Sequence, residues 1–201
     1  MLLLGSRLKR AGHAISSYGY LVSTRSFDDI CTGFVAHIEG VLQRDADAGE
    51  RGPYAIVGHS LGNIITRHSW AHLPDGIHAL VMLAPPNQSP RLARALKDNF
   101  VFRALTGEAG QQLADEAFYD ALPVPDVPTL VLAGDGGPRL SFLPFGEESS
   151  DGVVALSETD LEGAQHRVLP VLHTFIMNDK RVARLVEHFA VNGVVPDEAQ
   201  G

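Results

Sequence analysis

The sequence has one cysteine, Cys31, which excludes an intrachain disulfide framework and any cysteine-rich zinc site. It has no excess of positive charge: 16 Lys and Arg against 24 Asp and Glu leave −8, the wrong sign for a non-specific nucleic-acid binder. It has no apolar run near the roughly 18 residues a membrane helix needs, so stable membrane insertion is not expected. The opening apolar stretch, Met1-Leu2-Leu3-Leu4, is too short for the core of a secretory signal, which points to the cytoplasm. Internal repeats, low-complexity tracts and linker-like breaks are also missing. What is present is ordinary globular composition, 45% hydrophobic and 20% charged over 201 residues, enough for one domain spanning 1–201.

Short apolar strands alternate with amphipathic helices, the pattern of an α/β protein whose parallel sheet is joined by crossover helices. Residues 2–11 read as a helix with Arg7, Lys9 and Arg10 near its end and Gly12 as its stop. His13–Leu21 reads as a strand. Ser26 begins a loose capping box, after which Phe27, Ile30, Phe34, Ile38, Val41 and Leu42 keep helical spacing. Further strands are expected at 53–57, 77–84, 127–133 and 168–172, the last at a sheet edge because it contains Pro170. Helices are expected over 61–73, stopped by Pro74 and Gly76, and after Asn178 as cap, with Gly193 as terminator. Residues 85–125 read as short helices, either packing over the sheet edge or forming a small cap over an acyl pocket.

Gly58-His59-Ser60-Leu61-Gly62 matches G-x-S-x-G. With this content of glycine and serine the bare pattern arises by chance about 0.1 times in such a chain, so its context carries the weight. A strand ends immediately before it and a helix begins immediately after, the strand–turn–helix that a nucleophile elbow requires. The turn holds Ser60 in a strained conformation above the carboxyl ends of the strands, where open α/β sheets place their sites. The Leu61 amide, at the helix start, can donate to a developing oxyanion. Val57 and His59 read as packing or lining residues without chemistry of their own.

A serine nucleophile needs a base, and the base an orienting acid; on sheets with this elbow they follow in the order serine, acid, histidine. Six of the nine histidines precede any suitable acid, leaving His166, His173 and His188. His188 falls within the last helix, and His166 precedes the final strand. His173 follows Leu172 at the carboxyl end of that strand and is the expected base. Pattern alone leaves Asp135, after the strand at 127–133, and Asp151, in Ser149-Ser150-Asp151-Gly152-Val153-Val154, nearly even as the acid. Asp160, Glu147 and Glu148 read as solvated loop charges. His68 and His72 share an i, i+4 face, but nothing accompanies them as a third ligand, so no metal is expected. Cys31 reads as a small core residue.

From about residue 2 to residue 190 the chain resembles a bacterial esterase/lipase-like group of the α/β-hydrolase superfamily. The resemblance rests on Val57-Gly58-His59-Ser60-Leu61-Gly62, Met82-Leu83-Ala84-Pro85-Pro86-Asn87-Gln88, Asp151-Gly152-Val153-Val154 and Leu169-Pro170-Val171-Leu172-His173-Thr174-Phe175. Bacterial lipases similarly carry their acid in an Asp-Gly-x-Val turn with the histidine a little over twenty residues on; here the interval is 22. The resemblance implies Asp151 as acid with Asp135 second, Ser60 as nucleophile, His173 as base, a small-molecule ester as substrate, and no cofactor. It implies a mostly parallel sheet of about five strands flanked by helices.

The group's second oxyanion donor normally comes from a His-Gly loop after an earlier strand, and no His-Gly occurs here. Aligned on Gly12-His13, residues 2–11 match the helix after that loop, so the expectation is an N-terminal truncation of about 10–20 residues. The other alignment makes Leu2–Gly5 the strand itself. The absent strand would lie between those at 13–21 and 53–57. Its slot is then filled by an inward shift, by the N-terminal residues, or not at all, leaving an edge prone to association. Loss of one oxyanion donor costs on the order of 10²–10³ in turnover. The expected function is thus a carboxylesterase or lipase working through an acyl-enzyme, with reduced activity. The alternatives are an inactive relic serving as a binding or homo-oligomerising module, and a thioesterase or acyltransferase using the same triad.

Overall fold

The computed structural model describes residues 1–22, 25–91, 115–139 and 145–196. Four strands, β1 (Tyr54–His59), β2 (Ile77–Leu83), β3 (Thr129–Gly134) and β4 (Gln165–Leu169), form one parallel sheet in the order β1-β2-β3-β4. The helices are α1 (Leu2–Arg10), α2 (Phe27–Asp47), α3 (Leu61–His68), α4 (Glu116–Asp120) and α5 (Lys180–Asn192). The class is α/β, as the alternation of apolar strands and amphipathic helices predicts.

The central strands are apolar on both faces because both are covered. On β2, Ala79, Val81 and Leu83 join α1 and α5 in one core, with Leu130 and Leu132 of β3 beside them. The intervening Leu80 and Met82, with Ile56 and Val131, pack against Ile38 and Leu42 of α2. A third cluster sits between α2 and α3, where Phe27, Ile30 and Cys31 meet Ile64 and Ile65. Cys31 is buried there, and burial pushes its thiol up to about 11. Ser26 caps α2 through its hydroxyl, accepting from the Asp29 N–H at 3.1 Å.

Several expectations are corrected. The expected strand at 13–21 makes no ladder, although the four strands among the described residues stay close to the about five expected. Side chains hold that segment against α2 instead. Tyr18 donates to the Ile30 carbonyl at 2.9 Å and its ring lies on Phe34 and His37, while Ser16 pairs with His37 at 2.9 Å. β1 therefore has no ladder partner on its outer side among the described residues. Leu2–Gly5 is helical, not a strand. The expected helix at 61–73 ends at His68 and continues as a 3-10 turn over Trp70–His72. The last strand lies at Gln165–Leu169 rather than 168–172, so His166 is inside it. This edge strand is largely wet and lacks an apolar signature, and it stops just before Pro170, which cannot donate to a ladder. Most of the segment expected as a helical cap, 85–125, lies outside the described residues, and α4 is the helix described within it.

α5 is capped by Asp179 rather than Asn178. The Asp179 carboxylate accepts from the Arg181 and Val182 N–H groups, and Gly193 closes the helix at φ 68°. The Arg181 guanidinium, which pairs with Asp179 at 2.7 Å, holds that carboxyl down at about 2. Replacing Asp179 by Ala should cost about 1 kcal/mol and lower the thermal midpoint by about 2–4 °C. Asn178→Ala should change it little. Because the folded-state pKa is depressed, the Asp179 contribution should be complete above about 3.8 and lost as pH falls through about 2. Melts of both variants across acid pH check this.

Candidate active site

The β1–β2 register ends on the pair His59↔Leu83, and the turn that follows carries Ser60. Ser60 takes φ 51° and ψ −122°, a region that side-chain-bearing residues seldom occupy. The Leu83 carbonyl restrains it, accepting from the Ser60 N–H at 3.0 Å and from the Asn63 side-chain amide at 3.1 Å. Ala84, next along, also has positive φ, at 45°, so two strained residues lie side by side at the strand ends. Gly58 has to be glycine because a methyl group there would collide with the Asn63 carboxamide. The Leu61 N–H opens α3 and has no backbone partner among the described residues.

His173 begins a 3-10 turn after β4, and its imidazole reaches back to the elbow: Nε2 lies 2.9 Å from Ser60 Oγ. Its Nδ1 lies 2.7 Å from Asp151 Oδ2. Asp151 is 2% exposed, yet its carboxylate is fully engaged, since Oδ1 accepts the Val153 and Val154 N–H groups at 2.9 and 2.7 Å. Gly152 allows that turn at φ 95°. The Asp151 main-chain oxygen also accepts the His173 N–H at 3.0 Å, so the two loops are joined twice. Serine, imidazole and carboxylate thus form one hydrogen-bonded chain.

Asp135, the alternative acid, lies outside that chain, and its Oδ1 has no hydrogen-bond partner among the described residues. Its neighbours supply packing. A Cβ at Gly134 would come within 2.5 Å of the Val171 oxygen and 2.8 Å of Asp151 Cβ, and one at Gly137 within 2.6 Å of the Ser150 oxygen. The Gly137 N–H donates to the Ser150 carbonyl at 2.8 Å, and that of Gly136 to Val171 at 3.1 Å. Gly134–Gly137 is therefore the bed on which the Asp151 and His173 loops meet, a role hidden in sequence because it depends on distant segments.

The remaining candidates fall elsewhere. His166 bonds Thr159 Oγ1 at 2.9 Å within β4, and burial pushes its pKa down. His188 lies in α5. His68 packs on Phe27 and Phe118 near Asp28, whereas His72 is on the 3-10 turn, so the helical i, i+4 pair does not form. No group of three potential metal ligands occurs among the described residues. Glu148 is not a free loop charge: it pairs with Arg91, which also holds Glu158 at 2.9 Å. His59, expected only to pack or line the site, has its Nε2 3.0 Å from the His173 main-chain oxygen, a contact that sequence alone did not reveal.

No helix among the described residues is long and apolar enough to cross a membrane. No protein-family model matches the chain, and neither does any curated protein sequence. Solved structures do resemble it. A Bacillus licheniformis lipase, BlEst2 in mature form, is similar over 85% of this chain and 76% of its own, at 17% identity and TM-score 0.62. A thermophilic esterase is similar over 92% of this chain and 79% of its own, at 16% identity and TM-score 0.53. Phospholipase PlaB from Legionella pneumophila is similar over 78% of this chain, at 19% identity and TM-score 0.57, but the match spans only 41% of that protein. At these identities the likeness is one of fold.

Gly137→Ala should drive a methyl group into the backbone of the Asp151 turn and cost about 1–3 kcal/mol. Gly19→Ala, with open space around its Cα, should leave the melting temperature unchanged. Denaturant melts of the two variants test whether the glycine bed is under this constraint.

Proposed function

We propose, from the premise that the chain has the α/β-hydrolase fold, that it is a serine ester hydrolase, a carboxylesterase or lipase. The observation carrying the proposal is the unbroken path Asp151 Oδ2–His173 Nδ1, His173 Nε2–Ser60 Oγ, at 2.7 and 2.9 Å. In this reading Ser60 Oγ attacks the ester carbonyl carbon while its proton passes to His173 Nε2. The Leu61 N–H donates to the oxyanion of the tetrahedral intermediate. Collapse breaks the bond to the alcohol, which leaves with the proton from His173. Water then attacks the acyl-enzyme, giving its proton to His173, and the acid is released with Ser60 restored.

Asp151 holds His173 in the tautomer with hydrogen on Nδ1, leaving Nε2 to accept, and stabilises the imidazolium formed in each half-reaction. Its own lone pairs are occupied by two backbone N–H groups, which supports a carboxylate that orients rather than exchanges protons. The chemistry needs no metal or cofactor. The substrate is a small-molecule ester; a thioester would follow the same path.

A fluorophosphonate probe should label Ser60 and no other residue, as read by peptide mass mapping. Ser60→Ala should abolish both labelling and ester turnover, and Asp151→Asn should lower kcat by about 10⁴. Labelling elsewhere, or none, would overturn the proposal in favour of a non-catalytic binding module. Comparison of kcat/KM across ester, thioester and amide substrates should rank the ester first.

A further inference from the structure

His59 sits between Gly58 and the nucleophile, and the reaction described above leaves it unused. Its Nε2 is 3.0 Å from the main-chain oxygen of His173, and the two rings lie 5.0 Å apart at 48°. A carbonyl oxygen can only accept, so Nε2 must carry the hydrogen and Nδ1 the lone pair. The charged groups whose fields reach His59 are those of His173, Asp151 and the Met1 amino terminus. Burial and then the charge on His173 push His59 down to about 4, so it stays neutral while His173 cycles through its charged form.

The other two bonds that hold His173 both come from Asp151, one through Oδ2 and one through its main-chain oxygen. They tie His173 to the Asp151 turn, and Gly136 and Gly137 bond both loops to the segment after β3, but none of these bonds reaches β1. The Ser60–His173 bond cannot supply the link, because it breaks and re-forms in each half-reaction. The bond from His59 originates on β1, the strand that delivers Ser60, and persists through both steps.

Resting on the serine-hydrolase reading, we propose that His59 is a positioning residue that locks His173 in register with Ser60 through its Nε2–H bond to the His173 main chain. A base displaced by about 1 Å loses about 10²-fold in rate without altering substrate binding. The lock thus belongs to kcat rather than KM.

His59→Phe keeps a ring and deletes the donor, whereas His59→Gln keeps an N–H donor at similar reach. His59→Phe should lower kcat on a soluble p-nitrophenyl ester by about 10–100-fold with KM within about twofold, and His59→Gln should recover most of the loss. Rates are expressed per site labelled by fluorophosphonate after prolonged incubation, so unfolded protein does not count. The far-downfield NMR resonance of the His173 Nδ1 proton should be sharp in the wild type and in His59→Gln, and broadened or lost in His59→Phe. Wild-type kcat per labelled site in His59→Phe, or equal impairment of both variants, would overturn the inference. If the wild type turns over no ester, the proposed function fails while the resonance still decides on the lock. An unchanged signal in His59→Phe then overturns it.

Discussion

The Leu83 carbonyl, at the carboxyl end of β2, accepts both the Ser60 N–H and the Asn63 side-chain amide. Ser60 occupies a backbone region that costs of order 1–3 kcal/mol and persists only where the surroundings over-determine it. The parallel register His59↔Leu83 brings that acceptor to the turn, Gly58 leaves room for Asn63, and α3 begins at once behind it. A hydroxyl on an unstrained loop would lie back on the sheet; held at this bend, it stands clear of the strand ends with the Leu61 N–H beside it.

The other half of the site comes from segments that never form a sheet ladder with the elbow. The Asp151 turn closes on its own carboxylate through two backbone donors, which makes it rigid without a helix or strand around it. The glycines after β3 let this turn and the His173 loop approach backbone to backbone, where any side chain would hold them apart. Low solvent access matters here, because a hydrogen bond to an ionised carboxylate gains strength as water is excluded. The placement of His173 is therefore a property of close packing among short loops resting on a stiff sheet.

Much of this was legible from residue order. Continuous apolar runs along β2 and β3, buried on both faces, mark central parallel strands. The strand–G-x-S-x-G–helix context marks the tight turn at Ser60, and the apolar stretch before His173 marks the neighbourhood of a strand end, β4 closing at Leu169. Three features were not legible. The extended stretch at 13–21 has strand-like composition, but its aromatic and polar side chains find partners on α2, and it joins no ladder among the described residues. β4 is an exposed edge strand whose Gln165, His166 and Arg167 conceal it from any hydrophobic count. The choice between Asp135 and Asp151 was nearly even on pattern, because each follows a turn-forming glycine or precedes one.

Sequence by itself determined the local matters: strand and helix periods, the cap at Ser26, the terminators Gly12 and Gly193, and a serine held in a strained turn. These depend on neighbours within a few residues, whose geometry is fixed by covalent bonds and backbone sterics. Only the tertiary structure decided which carboxylate meets His173, that Gly134–Gly137 serves as a bed, and that His59 reaches the main chain of His173. Those contacts join residues from 13 to 114 positions apart in the chain. Hydrogen bonds of about 3 Å tolerate displacements of only a few tenths of an ångström. Such distances are set by how the loops pack across the strand ends, which no local run of residues specifies.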